Sequence, residues 1–152
     1  MISCKEFDTL IQSFLSIVAD MDIEIKNQDG TLKNFTVNEM HCIDCIGKIE
    51  NPNVTKLSKA LNMTRGGISR LIKKLLNKGA VKIYTSKNNN KEIYYHLTPI
   101  GEEIYVAHER LHRICHKQDA KFLKQFSQEE LEHGINFMRQ YIAHTKQQIQ
   151  KQ

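Results

Sequence analysis

The sequence lacks any apolar run approaching the roughly 20 residues that cross a bilayer. Its N-terminus also lacks the basic segment, apolar stretch and small-residue cleavage site of a secretory signal. These absences predict a cytoplasmic protein with no membrane partner. The 152 residues contain no internal repeat or low-complexity segment, and this length predicts one domain with or without added dimerisation helices.

Motifs of catalysis and of structural metal binding are also missing. There is no nucleophile elbow, phosphate-binding loop or HExxH motif, so we expect no enzymatic activity. The four cysteines are Cys4, Cys42, Cys45 and Cys115. A disulfide framework is not expected in the cytosol. Cys42 and Cys45 form a lone CxxC with no second pair to complete a zinc site, so we interpret them as small buried hydrophobic residues.

Acidic residues are absent between positions 51 and 91, where ten lysines or arginines occur. The remaining chain has 12 basic and 17 acidic residues, so a segment of charge +10 is set against a remainder of −5. Lysine and arginine displace counterions that are condensed on phosphates. This block therefore predicts a polyanionic partner, and a merely solvated basic face is the alternative.

Capping and periodicity indicate the helices outside this block. The S/T-x-x-E capping box, which satisfies free amides at a helix N-terminus, occurs at Ser3, Thr36 and Ser127. Apolar residues at helical spacing over 7–21 predict a first helix of about 20 residues. Residues 26–33 are predicted to form a loop, and a second helix is expected over 39–47.

The basic block itself predicts two short helices followed by a hairpin. The helices are expected over 55–61 and from Thr64 to residue 78, separated by a tight turn and ended by a Gly79 cap. Strands are expected over 81–84 and 93–97, with a polar tip between them. Thr98 and Pro99 then begin a helix that reaches residue 126, and a last helix follows.

This order predicts a mainly α protein with an α+β wing, a winged helix-turn-helix. Residues 36–98 would form the DNA-binding region, and residues 1–35 and 99–152 the dimerisation helices of one integrated domain. The second helix of such a motif enters the major groove. The candidate DNA-binding residues are Thr64, Arg65, Gly66, Gly67, Ser69, Arg70, Lys73, Lys74, Lys87 and Lys91.

Each candidate has an expected role. Arg65 is the first choice for a guanine contact, and Ser69 and Arg70 could also reach bases. Lys73 and Lys74 suit phosphates. The two glycines would let the helix approach DNA closely, and the two wing lysines would enter or straddle the minor groove. The alternative is a helical bundle with a basic face that only confers solubility.

The chain resembles the MarR family of bacterial transcription factors over essentially its whole length. The resemblance shows in "VTKLSKALNMTRGGISRLIKKLLNKGAV" and in the wing that leads to "YYHLTPIGEEI". It implies an obligate dimer in which the first and last two helices intertwine and paired winged domains read a pseudo-palindrome. Family wings usually carry Asp and Arg at the tip, where Asn89 and Lys91 stand here, and lysine lacks the planar fork of arginine.

Periodicity also favours a homodimer. A stripe of Leu131, Ile135, Met138 and Ile142 on the last helix matches the apolar face of the first helix. Both stripes lie near the chain ends, away from the basic block. Ordinary packing of the same helices within one chain is the alternative.

Histidines spaced four apart on the long helix suggest an effector site. Two imidazoles at that spacing share a helix face and can hold one metal ion. The sequence is similar to the zinc-responsive MarR branch, which represses zinc-uptake genes. The resemblance implies a zinc site of Glu24, His41, His108 and His112.

Other effectors stay open. The second, weaker site of the zinc-responsive branch is not expected, because Met40 and Ala107 stand where acids would help and the loop has no cysteine. The histidines could instead be polar residues beside the general ligand pocket of the family. A phenolic or lipophilic ligand, or cysteine oxidation, would then release the regulator from DNA.

Overall fold

A computed structural model describes the backbone of residues 3–86 and 89–150, and the side chains of residues 3–18, 29–85 and 92–149. The elements are α1 (Cys4–Gln28), α2 (Val37–Lys48), α3 (Val54–Ala60), α4 (Arg65–Asn77), β1 (Val81–Ser86), β2 (Asn89–Leu97), α5 (Pro99–Leu123) and α6 (Gln128–Gln150). The two strands pair antiparallel. This order confirms the predicted mainly α winged helix-turn-helix.

The chain divides into two compact units, Met1–Leu111 and His112–Gln152. The division falls inside α5, which is one continuous helix. No helix in the described part of the chain combines the length and apolar character that a membrane span requires.

The predicted capping boxes at Thr36 and Ser127 form in full, and at the third predicted box Ser3 Oγ accepts the N–H of Glu6 at 3.2 Å. Thr36 Oγ1 accepts the N–H of Glu39, and the Glu39 carboxylate accepts the N–H of Thr36. Ser127 and Glu130 exchange the same pair of bonds at the start of α6. The end of α1 differs from expectation: the helix continues to Gln28, three residues into the predicted loop 26–33, because no glycine or proline interrupts it before Asp29-Gly30.

The core of the first unit surrounds α2, which packs against α3, α4 and β2. The apolar residues of α4 recur at helical spacing, which predicts one inward face, and Ile68, Leu71, Ile72 and Leu75 are buried. The buried apolar residues are Leu32, Phe35, Met40, Cys42, Ile43, Ile46, Leu57, Ile68, Leu71, Ile72, Leu75, Ala80, Val81, Tyr95, Ile104 and Ala107. Burial of one face of α4 leaves its polar face to solvent.

The base of the wing is fixed to the start of α5. Thr98 donates its backbone N–H to the carbonyl of Ala80 at 3.0 Å and its hydroxyl to the carbonyl of Gly79 at 2.6 Å. Gly79 has a φ of 69°, which favours glycine. A Cβ on Gly101 would lie 2.1 Å from the Ala80 carbonyl oxygen, so this close approach of backbones requires glycine.

Candidate DNA-binding surface and histidine cluster

The turn between α3 and α4 sets the start of the candidate recognition helix. Asn62 has a φ of 50°, and the N–H of Met63 donates to the carbonyl of Ser58 at 3.0 Å. Thr64 is the N-cap of α4, and its hydroxyl accepts the N–H of Gly67 at 3.1 Å. These bonds hold the first turn of α4 in place beside α3.

The outer face of α4 is basic and exposed. Every outward residue that the sequence predicts is solvent-exposed: Arg65, Ser69, Arg70, Lys73 and Lys74. The Ser69 hydroxyl donates to the Arg65 carbonyl at 2.9 Å, which leaves its lone pairs free to accept. The face therefore combines hydrogen-bonding groups near the helix start with positive charge further along.

The two glycines of α4 differ. A Cβ on Gly66 would meet nothing within 4 Å, so Gly66 leaves open space on the outer face. A Cβ on Gly67 would lie 3.2 Å from Thr64 Oγ1, so Gly67 keeps room for the N-cap bond. The predicted role in close approach to DNA fits Gly66. Gly67 also leaves room for the Thr64 side chain that caps the helix.

The wing is attached to the segment before α3. The Tyr84 hydroxyl donates to Asn51 at 2.9 Å, and the N–H of Tyr95 donates to the carbonyl of Pro52 at 3.0 Å. The Tyr84 ring stacks on His96 with centroids 3.8 Å apart. Lys87 and the side chain of Lys91 lie outside the described residues, so their predicted contacts stay predictions.

One member of the basic block, Lys78, is partly exposed but pairs with a buried acid. Lys78 Nζ lies 2.7 Å from the carboxylate of Glu39 and donates to the carbonyl of Asn34 at 2.7 Å. It also lies 4.8 Å from the centre of the Phe35 ring. Lys78 is therefore one of the ten basic residues of the block, but its charge is used within the protein rather than on the basic surface.

Glu39 is 1% exposed. Burial acts to raise its pKa, but the bonds from Lys78 and from the N–H of Thr36 prevail and hold the pKa below its ordinary value. A buried, ionised carboxylate therefore joins α2 to the end of α4. Because its lysine is 39 residues away, no sequence pattern reveals the pair.

Two of the predicted metal ligands lie side by side. The rings of His41 on α2 and His108 on α5 have centroids 5.4 Å apart, and His108 is 6% exposed. His112 follows one turn after His108 on the same helix. One donor atom from each of the three histidines lies within 4.8 Å of the others. Glu24 belongs to α1, but its side chain lies outside the described residues.

An ionic network adjoins this histidine cluster (His41, His108 and His112). Lys48 Nζ lies 2.8 Å from Asp44 and 2.7 Å from Glu109, and these ion pairs raise the pKa of the lysine. Asp44 Oδ1 lies 3.9 Å from His108 Nδ1. Asp44 is not among the predicted site residues, although its place three residues after His41, on the same face of a helix, is a usable signal.

Comparison with known proteins identifies the family. A model of the MarR family matches residues 35–93. The HTH-type transcriptional regulator PchR of Bacillus subtilis is 32% identical over 140 residues, covering 91% of this chain and 78% of that protein. The uncharacterized HTH-type transcriptional regulator YhjH of the same organism is 30% identical over 128 residues, covering 84% and 71% respectively.

The chain belongs to the MarR family. MarR proteins are DNA-binding transcriptional regulators with a winged helix-turn-helix, in agreement with the surface described above. Among solved structures, Streptococcus pneumoniae FabT in complex with DNA has the same fold, with a TM-score of 0.77 and 23% identity over 94% of this chain and 99% of that one.

Two cysteines of this MarR protein are poor candidates for oxidation. Cys42 is buried, and burial raises the pKa of its thiol to about 12. Burial also raises the pKa of Cys45. Because the thiolate is the form that reacts with peroxide, the cysteine-oxidation alternative then depends on Cys115.

Both units of the MarR chain expose apolar helix faces. On α1, the exposed side chains are Leu10, Phe14, Leu15, Ile17 and Val18. In the second unit, a groove of about 480 Å³ is lined mainly by apolar side chains, including Phe122, Phe126, Leu131, Ile135, Met138 and Ile142. Monomeric proteins rarely leave contiguous apolar faces of this kind in water.

Proposed function

We propose that this MarR protein is a homodimeric transcriptional repressor that reads a pseudo-palindromic operator and binds it more tightly with zinc. The observation that carries the DNA-binding part is the exposed basic face of α4 beside a wing. The zinc part depends on the histidine cluster. The dimer, the sign of regulation and the effector are parts of this proposal.

Different turns of α4 would contact different parts of the DNA. Arg65 lies in the first turn, where a recognition helix meets base edges, and its guanidinium can pair with guanine O6 and N7. Lys73 and Lys74 lie two turns further on, where contacts to phosphates fix the register of the protein. A relative in this fold, FabT, has been solved in complex with DNA.

A second copy of the chain is the proposed cover for the apolar faces. Phe14 on α1 is 58% exposed and Ile142 on α6 is 48% exposed. Burial of such side chains contributes a free energy of about 25 cal/mol for each Å² of apolar surface removed from water, so the hydrophobic effect favours association with a partner. A dimer related by two-fold symmetry would present two copies of α4 to two half-sites of one operator.

The donor set fits zinc. Tetrahedral coordination with bonds of about 2.05 Å places two donor nitrogens about 3.4 Å apart, so nitrogens within 4.8 Å of one another need only small side-chain rotations. Glu24 is the proposed fourth ligand. A bound Zn²⁺ would supply a cross-link between these side chains. His41 would then hold α2, which packs on α4, against α5.

The test is operator affinity with and without zinc. A duplex that the protein selects from a random library would be titrated in two conditions. Saturating Zn²⁺ gives the metal-bound protein, and excess chelator gives the metal-free protein. An allosteric coupling of 1–3 kcal/mol corresponds to a change of about 5- to 150-fold in affinity. Equal affinity in the two conditions would contradict zinc control. His116→Gln is the matched control for His112→Gln, since His116 lies one turn further along α5.

A small-molecule effector is the second candidate, and one cavity favours it. The cavity has a volume of about 420 Å³ in the first unit and is lined by Thr31, Glu102, Glu103, Val106, Ala107 and Arg110. Charged side chains share this lining with apolar ones, and Arg110 pairs with Asp29, so the cavity suits a ligand that has both a polar group and an apolar part. Metal content of the purified protein separates the two candidates.

A further inference from the structure

We propose that Asp44 is a positioning residue for the zinc site: it accepts the Nδ1–H of His108 and so leaves Nε2 of that histidine as the metal donor. The observation behind this is the approach of Asp44 Oδ1 to His108 Nδ1 beside the histidine cluster. The inference rests on the proposed zinc site and concerns a residue that the ligand set does not include.

The position of Asp44 is suited to this role. It lies on α2, one turn after His41, and its Oδ1 atom is buried. Within the described part of the chain, Oδ1 accepts no well-aligned hydrogen bond, although Lys48 Nζ is 2.8 Å away. A buried carboxylate oxygen with a lone pair to spare is the acceptor that a neighbouring imidazole N–H requires.

The distance supports a positioning role rather than ligation. The oxygens of Asp44 do not belong to the described donor group within 4.8 Å, which comprises three histidines. The separation of 3.9 Å from His108 Nδ1 exceeds that of a hydrogen bond, so a shift of about 1 Å has to accompany metal binding. A rotation of either side chain about its Cα–Cβ bond supplies such a shift.

The chemistry explains why the contact matters. A neutral imidazole carries one proton, and whichever nitrogen holds it cannot ligate a metal. A carboxylate that accepts Nδ1–H selects the tautomer with a free Nε2, fixes the ring orientation and makes Nε2 more basic. Lys48 Nζ lies 2.8 Å from the same carboxylate oxygen, and its positive charge keeps Asp44 ionised and able to accept.

The experiment measures zinc affinity by competition with a chromophoric chelator for the wild type, Asp44→Asn, Asp44→Ala and Glu109→Gln. Loss of such an outer carboxylate lowers metal affinity about 10- to 100-fold. We expect Asp44→Ala to lose the most affinity and Asp44→Asn less, because an amide oxygen still accepts the proton. Glu109→Gln removes the same charge from the network on the far side of Lys48, so it should change the affinity less than about threefold.

Absorption spectra of the Co²⁺-substituted proteins separate positioning from ligation. The Asp44 variants should keep the visible band of the wild type, because the ligands are unchanged. Unchanged zinc affinity in both Asp44 variants would overturn the inference while the zinc site survived. A Co²⁺ band that showed a lower coordination number in the Asp44 variants would also overturn it, since Asp44 would then be a ligand. If the wild type binds no zinc, the proposed function fails at its zinc component and the inference fails with it.

Discussion

Replacing Lys78 with methionine should destabilise the protein, because the buried carboxylate of Glu39 would lose its positively charged partner. Methionine keeps the apolar part of the side chain over Phe35, so the substitution chiefly removes the charge. Glu39 then keeps only the N–H of Thr36, at 2.8 Å, as a hydrogen-bond donor on Oε2. Its burial prevents water from replacing the ammonium group.

The magnitude follows from the exposure of the two partners. Removing one partner of a fully buried ion pair costs about 3–5 kcal/mol, whereas an exposed pair contributes about 1 kcal/mol or less. Glu39 is 1% exposed but the side chain of Lys78 is 34% exposed, so the pair lies between these limits. We expect Lys78→Met to lower the free energy of unfolding by about 2–3 kcal/mol.

Glu39→Gln should cost less, about 1 kcal/mol, because the amide oxygen still accepts from Thr36 and Lys78 can turn to water. In the Lys78→Met background the same change should be stabilising, since it removes the unpaired charge. The double-mutant cycle therefore predicts a coupling of at least about 1 kcal/mol. Urea denaturation at one fixed protein concentration measures all four proteins.

The pH dependence provides an independent check. The ion pair keeps the pKa of Glu39 below its ordinary 4.5, so its contribution is fully present above pH 4.5 and is lost as the pH falls through the lowered pKa. Without Lys78, burial dominates and raises the pKa, so the variant regains stability relative to the wild type as the pH falls from 7 to 4.5. A cost below about 0.5 kcal/mol, or no rescue by Glu39→Gln, would refute this reasoning.

Three further predictions concern the DNA-binding unit. Lys73→Gln removes one phosphate contact from each of the two copies of α4, so it should reduce the slope of log affinity against log salt by about 1.8, whereas Lys78→Met should leave it unchanged; equal slopes for both variants would contradict the division of the basic block. Gly66→Ala should raise the free energy of unfolding by up to about 1 kcal/mol yet weaken operator binding, as gel-shift titration would show. Gly101→Ala should lower the free energy of unfolding by about 3 kcal/mol, because its Cβ would collide with the Ala80 carbonyl; an unchanged urea midpoint would contradict that contact.

The sequence alone was sufficient to predict the order of the helices and strands and which face of α4 is exposed. The capping boxes at Thr36 and Ser127, the Gly79 cap and the apolar period of α4 are local signals, since each depends on residues within about one helical turn. These signals predicted the winged helix-turn-helix, the buried stripe and the exposure of Arg65 and Lys73. Spacing along one helix likewise placed His108 and His112 on one face.

Only the tertiary structure decided which distant residues meet. Lys78 has the same charge as Lys73, and the sequence gives no reason to separate them, yet packing of α4 against α2 brings Lys78 to Glu39. The same packing of the first unit brings Asp44 on α2 next to His108 on α5. Local pattern determines the face on which a residue lies, whereas its partner depends on how the helices pack, which is a property of the whole core.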